Sequence, residues 1–316
     1  MAVQKIKGEK MSNVAAAKSK KQEVPKTLKE RAVENVKSIS WALGVFYFVQ
    51  TFFLQNFSIP TTSMESTLLA GDFLFVNKCI YGAQTPENIP LTNIYLPRYR
   101  FPSFREPKQG DVLVFRFPHP ELQDMESQRG LDYIKRCVAG PGQVLEVKNK
   151  ELYVDGKKFL DLFAIPGIHY DVNLQHDGQS VFPRNMGTGA NFGPLRIPAS
   201  GDEIAIDRDH YELIRYLAMR DQKRLEVKND GAYIDGVKTE KYTVGQDYFF
   251  MMGDNRDNSL DSRYWGPVPR DHIAGQGLLI YWSNDAAAKQ NSMILKAISM
   301  FNIPHIKWSR IGTVIR

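Results

Sequence analysis

A hydroxyl-rich turn joins a long apolar segment of the chain to a strand-like segment. Residues 58–78 read SIPTTSMESTLLAGDFLFVNK. Its hydroxyl side chains include those of Thr61, Thr62, Ser63, Ser66 and Thr67. A serine becomes a nucleophile when a base removes its proton, and that base is usually histidine. None of the six histidines lies in an apolar, turn-rich context suited to this role. A lysine could replace histidine, because burial in apolar surroundings lowers its pKa.

One lysine lies in such surroundings, within LDYIKRCVAGPG at residues 131–142. Alternation along a short strand places Lys135 on the same face as Tyr133 and Cys137. The Gly-Pro-Gly that follows would end the strand. Most lysines in strands of this kind point to water, so a solvent-facing Lys135 is the alternative on composition alone.

A third polar stretch follows an apolar strand, in FFMMGDNRDNSLDSRYWGPVP at residues 249–269. It does not match a calcium loop, because a start at Asp254 puts Arg256 at the third ligand position. A start at Asp257 gives no glycine at the sixth position and Val268 at the twelfth. We interpret the stretch as a network of hydrogen bonds and ion pairs that holds a loop rigid beside a site. An ordinary polar turn is the alternative.

The elements that would position these residues are predicted to be mainly strands. Alternating apolar runs recur between Gly, Pro and Asp, among them DFLFVNK, GDVLVFRFP, GDEIAIDRD, DYFFMMGD and GQGLLIYWS. The pattern predicts a mainly β, antiparallel domain over residues 58–285, with a β-rich subdomain inserted at about 150–245. One helix is predicted, over residues 209–224.

Two segments of the insertion resemble each other. LEVKNKELYVDGKK at 145–158 and LEVKNDGAYIDGVK at 225–238 align without a gap. Each is predicted to be a hairpin closed by Asp-Gly. A duplicated hairpin and a chance similarity both remain open.

An uncharged apolar run, SISWALGVFYFVQTFFLQNF, occupies residues 38–57. It has roughly the 20 residues that a membrane-spanning helix needs, which predicts one transmembrane anchor. A buried helix or a helix on the membrane surface is the alternative. The run is too long for a cleaved signal peptide, and no small-x-small site follows it. The tail over residues 286–316 is predicted to include a core or interfacial helix.

The net charge of +6 is concentrated at the start of the chain. Residues 1–37 hold ten Lys/Arg and four Glu, so the remaining chain is neutral. This predicts a disordered cytoplasmic tail rather than a nucleic-acid-binding domain. The two cysteines, Cys79 and Cys137, allow one disulfide but do not require it. No Cys/His cluster indicates a metal, and no cofactor is expected.

Four stretches, in this order and behind an apolar segment, resemble the bacterial type I signal peptidases. They are IPTTSMESTLLAGDFLFVNK, GDVLVFRFP, YIKRCVAGPG and GDNRDNSLDSRYWGPVP. They cover about 60 residues directly, and the apolar segment and β pattern extend the likeness over most of residues 38–285. The resemblance implies a membrane-anchored serine endopeptidase that uses a Ser/Lys dyad, works as a monomer and needs no metal.

The resemblance also assigns roles to residues. Ser63 is implied as the nucleophile and Lys135 as the general base. Thr61 stands where the family often has a serine that donates to the oxyanion, and its hydroxyl retains that capacity. Ser259 matches the serine that orients the lysine, and Asp261 with Arg263 matches the supporting ion pair.

The implied substrates are the signal peptides of exported preproteins, cut after small-x-small motifs such as Ala-x-Ala. The positions that match the family's apolar substrate pocket are Phe57, Ile59, Met64, Leu68, Tyr133 and Ile134. The resemblance implies a second partner, the lipid bilayer, and a catalytic domain on the outer face of the inner membrane, which we expect to face a periplasm.

Two rival protein classes fit the sequence less well. Self-cleaving Ser/Lys repressors share a related β core, but they carry a DNA-binding domain in place of an apolar anchor. An anchored β domain that only binds secreted proteins would have lost the serine or the lysine, and this chain retains both. A peptidase dedicated to a narrow substrate set is not distinguished from a general one.

Overall fold

The computed structural model describes residues 27–86, 94–97, 99–118, 131–159, 180–288 and 292–316. The chain divides into two units, residues 1–47 and residues 48–316. Most of the predicted tail over residues 1–37 lies outside the described residues, as does part of the predicted insertion.

The helices and strands are as follows, in chain order. The helices are α1 Leu28–Phe52, α2 Tyr211–Arg220, α3 Ser262–Trp265, α4 Asp285–Ala288 and α5 Met293–Ser299. The strands are β1 Leu54–Ser58, β2 Asp72–Asn77, β3 Val112–Arg116, β4 Asp132–Ala139, β5 Val144–Lys148, β6 Glu151–Val154, β7 Lys157–Lys158, β8 Phe192–Arg196, β9 Glu203–Ala205, β10 Leu225–Lys228, β11 Gly231–Ile234, β12 Val237–Lys238, β13 Lys241–Thr243, β14 Tyr248–Met252, β15 Val268–Pro269 and β16 Ile273–Ser283.

Helix α1 begins with a reciprocal cap. The backbone N–H of Thr27 donates to the Glu30 carboxylate at 2.9 Å, and the Glu30 N–H donates to Thr27 Oγ1 at 3.3 Å. These two bonds satisfy N–H groups that have no partner within the helix. The helix therefore starts inside the segment that the sequence predicts to be a disordered tail.

The predicted transmembrane anchor over residues 38–57 is corrected. Helix α1 stops at Phe52, and residues 54–58 form strand β1, which pairs with β2. Over the described residues, no helix combines the length and apolarity needed to cross a membrane. The polar and charged side chains of its first turns and Gln50 lower the hydropathy of α1.

A seven-stranded sheet forms the centre of the second unit, in the order β1-β2-β16-β3-β4-β14-β15. Each neighbouring pair is antiparallel. The prediction of a mainly antiparallel β fold is thus confirmed.

Alternation along the strands explains why both faces of this sheet are covered. On β3, Leu113 and Phe115 enter one apolar cluster, whereas Val112 and Val114 enter another. Strand β14 is buried along its whole length, because its successive side chains also enter two clusters. Strands buried on both faces read as continuous apolar runs, which is what DYFFMM shows.

The chain leaves this sheet after β4 and returns at β14. Between them lie a four-stranded sheet in the order β7-β6-β5-β8, a three-stranded sheet β10-β11-β12 and the pair β13-β9. Helix α2 falls within the predicted helix over residues 209–224 and is shorter at both ends. Its buried side chains join those of the four-stranded sheet in one apolar cluster.

Each of the two similar segments of the insertion contains the predicted hairpin closed by Asp-Gly, and a third strand precedes it, so each segment is a three-stranded meander. Strands β5 and β6 are joined through Asn149 and Lys150, both at positive φ. The Asp155-Gly156 pair makes the next turn, from β6 to β7. In the second copy, Asp235-Gly236 likewise joins β11 to β12. Asp-Gly suits a tight turn with positive φ at both central residues, so the predicted turn is confirmed, whereas the turn before it was not predicted.

Candidate active site

The turn that carries Ser63 is fixed by backbone bonds and by buried apolar side chains. The N–H of Ile59 donates to the carbonyl of Asp72 at 2.8 Å, and that of Leu68 donates to the carbonyl of Met64 at 2.7 Å. Ile59, Met64 and Leu68 are all buried in one apolar cluster. The apolar residues between the hydroxyls thus anchor the turn, and Ser63 itself stays partly exposed.

Lys135 lies on β4, opposite Leu113 of β3, and its side chain is only 3% exposed. Its Nζ donates a hydrogen bond to Ser63 Oγ. Burial lowers the pKa of Lys135 to about 8, although the nearby Asp261 and Asp254 carboxylates act to raise it. The alternative of a solvent-facing lysine is therefore wrong. An amine with this pKa can be neutral near physiological pH and accept a proton from the hydroxyl.

The Asp261–Arg263 pair lies beside Lys135 and is formed within two residues of the chain. Arg263 Nε and one Nη donate to the two Asp261 oxygens, each at 2.9 Å. Burial would raise the pKa of Asp261, but the charge and hydrogen bonds of Arg263 outweigh burial and lower it. Arg263 also donates to the carbonyls of Arg256 at 2.6 Å and Gly189 at 3.0 Å, so it braces the loop before α3.

Ser259 lies in the same loop, fully buried, and its Oγ has no hydrogen-bond partner among the described residues. A Cβ added to Gly253 would lie 2.2 Å from Ser259 Oγ and 2.4 Å from the Ser63 carbonyl. Only a glycine therefore allows this loop to pack directly against the Ser63 turn. The Asn255 N–H donates to the Ser63 carbonyl at 3.1 Å, which fixes that approach.

A second buried pair, Asp254–Arg136, connects β4 to the same loop. Arg136 Nε and Nη2 donate to the two Asp254 oxygens at 2.8 and 2.7 Å. Thr67 Oγ1 also donates to Asp254, at 2.6 Å. Arg136 was not predicted as a site residue, and Thr67 was noted only as one of the hydroxyl residues of the turn. The one available signal was the position of Arg136 directly after Lys135. Adjacent strand residues face opposite sides, so the Arg136 side chain points to the other face of β4 and needs its own buried partner there.

Hydroxyl and amide groups surround the serine on its exposed side. Thr61 Oγ1 lies 3.4 Å from Ser63 Oγ, within hydrogen-bond reach. Asn258 Nδ2 donates to Thr62 Oγ1 at 2.9 Å. The N–H of Ser63 has no hydrogen-bond partner among the described residues. An unpaired N–H beside a nucleophile is a donor that a developing oxyanion could use.

A cleft of about 400 Å³ opens over the Ser63–Lys135 contact. Of the predicted substrate-binding residues, Tyr133 and Ile134 line it. Phe57, Ile59, Met64 and Leu68 do not line it and pack in the apolar cluster beneath. The lining residues that the sequence analysis did not propose are Pro60, Thr62, Leu131, Asp132, Asn258 and Leu260. Each is within three residues of a proposed site residue, and that adjacency was their only signal.

The two cysteines are free thiols. Cys79 Sγ donates to the carbonyl of Phe52 at 2.9 Å, and Cys137 is fully buried. The described residues contain no group of three or more His, Cys, Asp or Glu side chains placed to hold a metal ion.

Comparison with known proteins identifies relatives over most of the chain. Residues 32–176 and 192–282 match the profile of the family described as signal peptidase, peptidase S26. The signal peptidase I of Aquifex aeolicus is 30% identical over 249 residues, covering 75% of this chain and 78% of that protein. The signal peptidases I of Haemophilus influenzae and Pseudomonas aeruginosa are 29% and 28% identical, over 82% and 79% of this chain and 72% of each relative.

A crystal structure of a signal peptidase I from Enterococcus faecalis also aligns with the chain. The identity is 19%, the alignment covers 55% of this chain and 98% of the other, and the TM-score of 0.23 is too low to establish a shared fold.

Proposed function

The chain belongs to the signal peptidase family, peptidase S26, and on that premise we propose that it removes signal peptides from exported preproteins with a Ser63/Lys135 dyad. As a bacterial type I signal peptidase it is a serine endopeptidase. The observation that supports the dyad is the hydrogen bond from the buried Lys135 amine to the partly exposed Ser63 hydroxyl.

The reaction begins with neutral Lys135. Its Nζ takes the proton from Ser63 Oγ as that oxygen attacks the carbonyl carbon of the scissile bond. The protonated amine then gives the proton to the departing amine, which leaves Ser63 acylated. Lys135 next removes a proton from water, and the resulting attack on the ester releases the signal peptide and restores both side chains.

Charge that develops on the carbonyl oxygen needs donors in place before the reaction. We assign this role to the Ser63 N–H and the Thr61 hydroxyl, which lie on the exposed side of the nucleophile. Ser259 is assigned to orient Lys135, because its buried hydroxyl has no hydrogen-bond partner among the described residues and its loop packs against the Ser63 turn. The Asp261–Arg263 pair holds that loop in place.

The substrate would bind as an extended strand along the cleft. Strand β1 ends the sheet, so one of its edges is open to an added strand. Tyr133 and Ile134 on the opposite wall leave room for small side chains next to the serine, which accounts for cleavage after small-x-small sites. The buried Ile59, Met64 and Leu68 would act indirectly, by setting the depth of this wall.

We further propose that the enzyme acts at the outer face of the cytoplasmic membrane, as a monomer, and that α1 contacts lipid. Helix α1 exposes a run of large apolar side chains, among them Trp41, Leu43 and Phe46. Such a surface favours the bilayer interface over water. Flotation of the full chain with liposomes, compared with a chain that begins at residue 53, would test the contact.

Cleavage of a preprotein with an Ala-x-Ala junction tests the proposed chemistry. The purified full chain should cut at the junction, whereas Ser63→Ala and Lys135→Ala should each lower kcat/KM by at least about 1,000-fold, since either loss removes the nucleophile or its base. Lys157→Ala, on β7 and exposed, is the matched control and should retain wild-type activity. Retention of most activity by folded Lys135→Ala would refute the base assignment.

A further inference from the structure

A second, polar pocket of about 200 Å³ lies beside the catalytic cleft. Its wall includes Gln55 of β1, Lys78 after β2, Arg116 of β3, Asp132 of β4 and His272 before β16. It shares Asp132 with the catalytic cleft. The proposed mechanism uses none of its side chains.

Several polar groups of this pocket are already engaged by the protein. Thr85 Oγ1 donates to the Pro97 carbonyl at 2.8 Å, and His272 contacts the Arg116 carbonyl through Nδ1 and Arg220 through Nε2. Arg116 and Asp132 occupy directly opposed positions on the paired strands β3 and β4. These groups shape the pocket and leave little capacity for a ligand.

Lys78 and Gln55 differ from these groups. Neither side chain has a hydrogen bond or an ion pair with any described residue. Burial lowers the pKa of Lys78, while Asp132 acts to raise it. A half-buried amine without a contact partner has lost part of its hydration and has received no hydrogen bond in exchange. A ligand with a hydrogen-bond acceptor could accept hydrogen bonds from both the Lys78 amine and the Gln55 amide.

The position of the pocket relative to the nucleophile limits which part of a substrate can reach it. Asp132 precedes Lys135 by three residues on the same strand, or roughly 10 Å in extended chain. A substrate strand that lies along β4 with its scissile bond at Ser63 therefore reaches Asp132 with about its third residue from that bond, and the rest of the pocket with about its fourth to sixth residue.

The surroundings indicate the direction of the substrate. Beyond the pocket lie exposed apolar side chains, including Phe53, Tyr99 and Phe101. They adjoin the pocket directly, since the Lys78 N–H donates to the Phe53 carbonyl and the Thr85 N–H to that of Tyr99. In a signal peptide the apolar region lies N-terminal to the cleavage site. The apolar region of the signal peptide would therefore contact this surface. A polar residue between that apolar region and the cleavage site would contact the pocket.

We propose that this pocket is a specificity subsite that binds a carboxylate or carboxamide side chain of the preprotein, about four to six residues N-terminal to the scissile bond. Lys78 donates to the acceptor oxygen, and the Gln55 amide supplies a second bond. The proposal rests on the proposed peptidase function and adds a preference that the Ser63 and Lys135 chemistry does not imply.

A charge-swap experiment tests it with the full chain. Preproteins that differ only in carrying Glu, Gln or Lys at the fourth, fifth or sixth residue before an Ala-x-Ala junction are compared by kcat/KM. For wild type we expect Glu to exceed Lys by about twofold to fivefold at one of these positions, the range of a partly exposed ion pair. For Lys78→Glu we expect the order to reverse, with the Lys substrate cut faster.

The reversal is informative because a misfolded variant would cut all substrates more slowly and would not come to prefer the Lys substrate over the Glu substrate. Lys157→Glu is the matched charge control and should keep the wild-type order. If wild type cuts all substrates equally and Lys78→Glu changes nothing, the subsite is refuted while the peptidase function stands. If wild type cuts none of the preproteins, the proposed function itself fails.

Discussion

Two buried aspartate–arginine pairs flank Lys135, and they differ in what they connect. Asp261 and Arg263 are two residues apart and shape a single loop. Asp254 and Arg136 are 118 positions apart and join that loop to β4, while Thr67 adds the segment after Ser63. The first pair lies where a local turn can form it, and the second forms only when three distant segments meet.

The comparison shows two separate requirements of a Ser/Lys site. The distance between nucleophile and base must be held by a link across segments, which Asp254–Arg136 provides. The protonation of the base must be tuned by nearby charge, and Asp261 is the charge that acts most strongly to raise the pKa of Lys135. The following predictions separate these roles, from the largest expected effect to the smallest.

Asp254→Asn should destabilise the protein most. The substitution leaves the Arg136 guanidinium, which is 1% exposed, without its carboxylate. Breaking a buried pair in this way costs about 3–5 kcal/mol. Urea unfolding followed by circular dichroism measures the loss. Adding Arg136→Met removes the unpaired charge and should recover part of the lost free energy of unfolding. A loss below about 1 kcal/mol for Asp254→Asn alone would show that the pair does not link the segments.

Lys135→Met should stabilise the protein while abolishing activity. The pKa of Lys135 is about 8 in the folded chain against 10.5 as the reference value, so the unfolded chain binds more protons between these two pH values. The free energy of unfolding of wild type therefore rises with pH across that window. Below about pH 8, wild type is less stable than Lys135→Met by the full cost of the buried charged amine.

We expect a gain on the order of 1–3 kcal/mol at pH 7 for Lys135→Met. The gain should shrink above pH 8 and vanish above about pH 10.5. Urea unfolding at several pH values measures it, and an equal or lower stability at pH 7 would contradict the cost assigned to the buried amine.

Asp261→Asn should move the pH dependence of cleavage. Neutral Lys135 is the active form, so kcat/KM of wild type should rise as pH passes about 8. Removing a carboxylate that favours the protonated amine lowers the pKa of Lys135, and the rise should begin at lower pH. Asp254→Asn should move it in the same direction but less far. A shift to higher pH, or a larger shift for Asp254→Asn, would reverse the assigned roles.

Lys241→Ala should have the smallest effect. Its ion pair with Glu203, at 2.9 Å, is more than half exposed on both sides. Because solvent screens both charges, exposed pairs of this kind contribute little to stability. The free energy of unfolding should stay close to that of wild type, and cleavage should match that of wild type. A loss of stability as large as that of Asp254→Asn would mean that solvent exposure does not weaken this ion pair relative to the two buried pairs.

The two meanders show how far local sequence reaches. Both copies contain LEVKN and Asp-Gly, and both form three short strands with a turn at Asp-Gly. In the first copy Val147 is 3% exposed, whereas the equivalent Val227 is 59% exposed. Strand and turn depend on neighbours in the sequence, but burial depends on what packs above them. Among the described strands, the first copy pairs with a further strand, β8, and the second copy does not.

The sequence by itself determined the mainly β fold, the helix within 209–224 and the short-range chemistry of the site. Alternation, Asp-Gly turns and an Asp-Ser-Arg run act over a few residues, so their consequences can be read locally. Only the tertiary structure decided that Lys135 is buried against Ser63, that Arg136 pairs with Asp254 and that the Lys78 side chain has no hydrogen bond or ion pair among the described residues. Each of these depends on segments tens to hundreds of residues apart, and burial, which sets both pKa and partner, is a property of the assembled sheet.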